Sequence, residues 1–384
     1  MKYRIADRIS TLTTSIFATM SKMAVEHNAV NLGQGFPDFD GPHWLMDEAY
    51  QAMKAGKNQY APSSGIISLR KNIAEVQKNH YGLDYDPETE ITITAGATEA
   101  IYCAINAFIN PGDEVILLEP YYDAYQADVV LAGGVPKYVT LYKPDFSFDP
   151  DELVKSISSK TKMLILNSPH NPTGKVFTLA ELTIIANLAI EHNFIVLSDE
   201  AYEFLTYDGV KHIPIATLPD MKKRTITINS TGKTFGMTGW KIGYATATEQ
   251  LSTAIRKVHQ WTTFAVNTPG QHAVAHGFKI LDDYLPDFRK VYQVKRDKAL
   301  ELLKDTRFTP HEPRGSYFIM VDIPDGIFND DVDAATKLVR EYGVATIPPS
   351  VFYTRSDEGR TMLRLCFAKS DETLISGIGI LGRI

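Results

Sequence analysis

The sequence predicts an α/β protein, with a large domain built on a mainly parallel sheet flanked by helices and a smaller α+β domain beside it. Three observations predict this. Between about residues 90 and 250, short β-branched runs alternate with stretches of helical spacing, the pattern of strands returned by crossover helices. After about residue 275 the pattern changes to a charged helix, DFRKVYQVKRDKALELL, followed by the alternating runs GSYFIMVDI and TMLRLCF. A chain of 384 residues also exceeds what one core ordinarily holds.

Taken in chain order, residues 1–45 contain no strand and helix pair able to form a core alone. They are expected to pack on the small domain and on a partner subunit. Residues 46–275 form the expected large domain. Within it Ile91–Thr94, Glu114–Leu118, Lys162–Leu166, Phe194–Ser198 and Thr225–Asn229 read as buried strands bounded by Gly, Pro or Asp. Ile101, Ala104, Ile105 and Phe108 fall on one helical face, and Pro111-Gly112-Asp113 stops that helix. Residues 276–384 form the expected small domain.

Composition narrows the function. Lys and Arg number 39 against 46 Asp and Glu, a net charge of -7, so the chain lacks the basic footprint of a nucleic-acid or anionic-membrane binder. Small-molecule partners are expected. Only Cys103 and Cys366 are present, far apart, with neither a disulfide framework nor paired metal-ligand spacing. No metal is expected. The opening MKYRIADRISTLTTSIFATM scatters Lys2, Arg4, Asp7 and Arg8 without the apolar block of a signal peptide, and a reducing cytoplasm is the expected location.

Four segments carry chemistry. In NSTGKTFGMTGWKIGY, Lys233 lies just beyond the run TITIN, at a strand end where open α/β sheets bind ligands, and its amine can form an imine with an aldehyde cofactor. Alone it would read as a solvated loop lysine. SDEAYEF puts Asp199 at the end of the apolar strand FIVLS with Tyr202 three residues on. A carboxylate there needs a cationic partner, which a protonated pyridine nitrogen supplies, although a helix N-cap is an equal reading of Asp199 alone. LNSPHNPTGK sets Asn167 at a strand end and Asn171 in a Pro-bounded turn. In AGATEAI the turn Gly96-Ala97-Thr98 opens into a helix whose free amides form an anion site. This is not the G-x-G-x-x-G dinucleotide fingerprint.

With those segments in order, and with NLGQGFPDFDGP, NQYAPSSGIISLR, EPYYDAY and LRLCFAK beside them, nearly the whole chain resembles the class I pyridoxal-phosphate-dependent aminotransferases of fold type I. The runs NLGQGFPDF, MTGWKIGY and IRKVHQWTTFAVNTP are similar to the methionine aminotransferase, kynurenine aminotransferase and glutamine transaminase K group. The resemblance implies pyridoxal 5'-phosphate bound as a Schiff base on Lys233, with Asp199 facing the pyridine nitrogen. It implies that Tyr202 and Asn171 bond the ring hydroxyl and that Tyr122 stacks on the ring, with Asn167 close by. Gly96, Ala97, Thr98, Ser230 and Lys241 hold the phosphate, helped by Tyr60 from the other subunit of a homodimer. Arg364 clamps the substrate carboxylate with the Gly35 backbone and Asn171 beside it, and Phe17, Tyr60, Tyr122 and Phe264 wall the side-chain pocket. Lys241 stands where many class I members have Arg, a choice shared by the closer group, and Gly232 and Gly236 replace larger residues beside Lys233.

The expected reaction moves the α-amino group of a neutral amino acid of methionine, aromatic, glutamine or kynurenine type to a 2-oxo acid. A carbon-sulfur β-lyase on the same cofactor is the nearest rival, because the same carbanion can expel a leaving group. A regulator built on an aminotransferase-like domain would need a DNA-binding addition, for which residues before 30 leave no room. A nicotinamide-dependent dehydrogenase would need the missing glycine fingerprint.

Overall fold

The computed structural model describes residues 5–10, 12 and 14–384. Thirteen strands follow in chain order among them: β1 (Val30–Asn31), β2 (Ile91–Thr94), β3 (Glu114–Glu119), β4 (Val135–Tyr142), β5 (Ser147–Phe148), β6 (Thr161–Asn167) and β7 (Ile195–Asp199). The rest are β8 (Thr225–Ser230), β9 (Gly243–Thr246), β10 (Thr309–His311), β11 (Phe318–Asp322), β12 (Val344–Ala345) and β13 (Met362–Cys366). The five expected strands of the large sheet lie within one residue of their expected bounds. The charged helix runs over Leu281–Leu303.

An eight-stranded sheet has the order β2-β9-β8-β7-β6-β3-β4-β5. Strands β8, β7, β6, β3 and β4 run parallel, while β9 is antiparallel to both its neighbours and β5 is antiparallel to β4. Alternation within the parallel strands sends Ile116, Leu164 and Val196 into one core layer and Val115, Leu117, Met163, Ile165 and Leu197 into the other. Because successive side chains point to opposite faces and helices cover both, these strands are apolar throughout. Strands β4, β5 and β9 were not among the expected strands. In β9 the sequence GYAT has little β-branched character; burial between two neighbours selects the conformation instead.

A smaller antiparallel sheet, β10-β11-β13, pairs Met320 with Arg364. The N-terminal part joins it from outside: β1 pairs in parallel with β12, Val30 opposite Val344, and the Leu32 carbonyl accepts the Cys366 amide at 2.7 Å. Four helices lie in the first third of the chain: α1 (Ile16–Glu26), α2 (His43–Lys54), α3 (Ile67–Tyr81) and α4 (Gly96–Phe108). Helix α4 ends before the Pro-Gly-Asp stop, as its spacing predicts. No helix of the described residues is long and apolar enough to cross a membrane.

Candidate active site

The carboxyl ends of β6, β7 and β8 lie side by side and deliver three of the singled-out residues to one place. Register pairs Asn167 with Asp199 directly, and Ser230 ends β8. The Asn167 side chain then fixes two backbones at once, donating to the Asp199 carbonyl at 2.8 Å and accepting the Asn171 amide at 2.7 Å.

From Ser230 the chain turns into one helical turn, Thr231–Thr234, which raises Lys233 over the sheet edge. A Cβ at Gly232 would sit 3.0 Å from the Thr238 Cα, so glycine there lets the two segments of this loop close on each other. The Lys233 ammonium donates to the Tyr317 hydroxyl at 2.8 Å and to the Gly35 carbonyl at 3.1 Å. Burial, with Arg364 and Lys241 adding like charge, lowers its pKa to about 8. A neutral, nucleophilic amine is therefore available near physiological pH.

Asp199 is buried and accepts the Tyr125 hydroxyl at 2.5 Å and the Ala201 amide at 3.1 Å. Burial raises its pKa despite those two donors and the nearby Lys233, which is the condition of a carboxylate that gains from a cation placed against it. Tyr202 lines the same space, and burial holds its hydroxyl in the neutral form. Burial also pushes Tyr122 up to about 12, with Asp123 contributing.

The turn before α4 builds the anion site. Gly96 has φ +77°, and the place a Cβ would take lies 3.3 Å from Cε and Nζ of Lys241. Glycine thus lets the ammonium approach the free amides of the helix start. Gly243 does the same from the other side, since a Cβ on it would come within 2.6 Å of the Ala97 nitrogen.

Arg364 reaches the site from β13 and is 1% exposed. Its Nη1 donates to Asn171 Oδ1 at 3.0 Å and its Nη2 to the Gly33 carbonyl at 2.7 Å, both uncharged partners. Nε is buried without a hydrogen-bond partner among the described residues. The guanidinium lies 4.2 Å from the ring centre of Phe318 and 4.8 Å from that of Phe17. Burial lowers its pKa, but guanidinium stays charged in proteins, so this is a desolvated cation awaiting an anion.

These groups share one cavity of about 320 Å³, lined by Lys233, Asp199, Arg364, Lys241, Tyr122 and Phe17 among others, with Gly35, Gly96, Ala97, Thr98, Asn167, Asn171, Tyr202 and Ser230 completing the sequence-derived set. Two singled-out residues stand outside it. Tyr60 is 83% and Phe264 50% exposed, and they pack edge to face on each other at 5.4 Å. Sequence reading passed over Tyr125, Tyr317, Gly33 and Phe318. All four sit in segments already quoted, Tyr125 in EPYYDAY, Gly33 in NLGQGFPDFDGP and Tyr317 and Phe318 in GSYFIMVDI, but they act through contacts that spacing does not reveal.

A lysine amine, a buried carboxylate, a helix-start anion cradle and a buried arginine thus face one cavity at the carboxyl ends of a parallel sheet. The family "Aminotransferase class I and II" matches residues 27–378, and the chain belongs to it. It is 41% identical to a methionine aminotransferase of Escherichia coli over 96% of this chain and 95% of that one. It is 38% identical to a kynurenine--oxoglutarate transaminase of Dictyostelium discoideum over 97% and 94%. The solved N-succinyldiaminopimelate aminotransferase of Mycobacterium tuberculosis superposes with a TM-score of 0.96 at 39% identity, covering 99% of this chain and 100% of that one. The chain is an amino-acid aminotransferase.

The amine of Lys233 should react with a small aldehyde in the cofactor-free protein at a rate that rises through a midpoint near pH 8, as borohydride trapping and peptide mapping at stepped pH would show. A midpoint at the roughly 10.4 of ordinary lysines would contradict the desolvation described above.

Proposed function

We propose that the chain moves the α-amino group of a neutral amino acid to a 2-oxo acid, using pyridoxal 5'-phosphate held on Lys233. One observation carries this reading: the desolvated Arg364, whose hydrogen-bond partners among the described residues are neutral, faces the same cavity as Lys233. An α-carboxylate would give that guanidinium its counter-ion and place the substrate amine and Cα toward the lysine.

The residues fit the family's cofactor at each end. The phosphate would lie at Gly96, Ala97, Thr98, Ser230 and Lys241, where a helix start and an ammonium converge. Asp199 would face the pyridine nitrogen, Tyr202 and Asn171 the ring hydroxyl, and Tyr122 the ring plane. When bound, pyridoxal phosphate supplies an aldehyde for imine exchange and an electron sink for the pair left at Cα. The chain supplies the rest. Lys233, neutral once displaced, is placed to take the Cα proton and return it, while the Tyr317 hydroxyl and Gly35 carbonyl hold its amine in position.

Phe17, Tyr122 and Phe318 wall the cavity, and Lys233, Lys241 and Arg364 are the cations among its lining residues. Since each of those three has a role at the cofactor or at the α-carboxylate, a donor with a neutral side chain of methionine, aromatic, glutamine or kynurenine type fits best. Tyr60 of the partner subunit would complete the phosphate site, and Phe264 the side-chain pocket, in a two-fold dimer. The exposure of both aromatics in the single chain supports this. Two buried free cysteines suit a reducing cytoplasm.

A panel of neutral amino acids against several 2-oxo acids should give a new amino acid in each productive pair. Pyruvate and ammonia in place of that product would identify a β-lyase. Arg364→Lys keeps the charge and loses the planar fork, so kcat/KM should fall for every donor alike, by about 2 to 5 kcal/mol in transition-state binding, with cofactor absorbance retained. A loss confined to some side chains would give Arg364 a different role. For the assembly, equilibrium sedimentation at assay concentration should report two chains per particle, and a fully active single chain would remove Tyr60 from the site.

A further inference from the structure

Behind the anion cradle, outside the cavity, lies a trio with Cys103 and His259 buried and Glu99 partly buried, which the proposed reaction does not use. Glu99 stands in the first turn of α4, and its Oε2 accepts the Ala95 amide at 2.7 Å, curling back over the turn that precedes the helix. Its Oε1 accepts the Cys103 thiol at 3.1 Å and lies 2.7 Å from Nδ1 of His259. His259 comes from the helix Glu249–Thr262 and is fully buried. Its Nε2 lies 2.8 Å from the Ser63 carbonyl.

These partners set the charges. A carbonyl can only accept, so His259 donates through Nε2, and against a carboxylate it donates through Nδ1 as well. Burial by itself would raise the Glu99 carboxyl, but the hydrogen bond and charge of His259, with the Ala95 amide and the Cys103 thiol, bring its pKa below the ordinary value. Burial and the Glu99 charge keep the Cys103 thiol protonated. Both carboxylate oxygens and both ring nitrogens are thus already engaged, so we read the trio as hydrogen-bonded and not as a metal site.

The pair solves an electrostatic difficulty. A carboxylate in the first turn holds the Ala95 amide well, yet alone it would repel a phosphate at the same helix start. The hydrogen bond from His259 holds that carboxylate back against the protein and anchors the pair to Ser63, three residues from Tyr60 along the chain. The His259 carbonyl also accepts the Phe264 amide at 3.0 Å, so the exposed Phe264 and the cradle share one buried point.

We propose that Glu99, paired with His259, is a positioning residue that fixes the Ala95–Gly96 turn for the cofactor phosphate and ties it to the segment bearing Tyr60. This rests on the phosphate site proposed above. The test uses the full chain freed of cofactor, titrated with pyridoxal 5'-phosphate and with pyridoxal, which lacks the phosphate. Glu99→Gln cannot accept at both ends of its side chain, so the preference for the phosphorylated form should fall roughly tenfold or more, with pyridoxal affinity unchanged. His259→Gln should move the ratio the same way, Glu99→Asp should recover part of it, and Cys103→Ala should leave it at the wild-type value. Equal weakening of both ligands in Glu99→Gln and His259→Gln would mean a general packing role and overturn the proposal, as would a preserved ratio. A wild-type chain with no preference would remove the phosphate site itself, and this proposal with it.

Discussion

Among the described residues three cations, Lys233, Lys241 and Arg364, line one cavity together with a single buried carboxylate, Asp199. Their imbalance governs the site. Desolvated charge is costly unless it is paired, and here the available protein partners of Lys233 and Arg364 are a hydroxyl, two carbonyls and an amide oxygen. The excess positive charge matches ligands that carry anions at two separated ends, which a phosphorylated cofactor and an amino-acid carboxylate together provide. Burial, with Arg364 and Lys241 adding like charge, lowers the Lys233 pKa to about 8 and so keeps its amine ready to react.

The fold makes this arrangement affordable by placing it where backbone is least constrained, at the carboxyl ends of parallel strands. Asn167 and Asp199 arrive there through register, and Ser230 ends the next strand, paired with Gly243. Arg364 comes from the other sheet, and its strand is tied to Leu32 and Ile347 by main-chain bonds. The cavity therefore lies between the large parallel sheet and the smaller antiparallel one, with the Gly33–Gly35 segment closing it by contributing carbonyls to Arg364 and Lys233.

Much of this was legible in the sequence, for reasons that differ by residue. The five buried strands declare themselves because burial on both faces demands unbroken apolar runs. Lys233, Asp199, Asn171 and Arg364 follow from motifs in fixed order, and the cavity contains all four. Strand β9 escaped because Gly243 and Ala245 carry no strand signal of their own; the close approach to Ala97 requires a glycine there. Tyr125 and Tyr317 escaped because each acts on a residue distant in sequence, Asp199 and Lys233, and an alternating run gives no hint of which aromatic will be in reach. The Glu99 and His259 pair is separated by 160 positions, beyond any local pattern.

Every other role at this site depends on Lys233 being the residue that captures the cofactor. Incubating the protein with pyridoxal 5'-phosphate, reducing with borohydride and mapping the peptides tests this most directly. The pyridoxyl group should be recovered on Lys233 in the peptide containing STGKTFGM, and Lys233→Ala should retain none. Recovery on a different lysine, or no fixed cofactor in the unaltered chain, would contradict it.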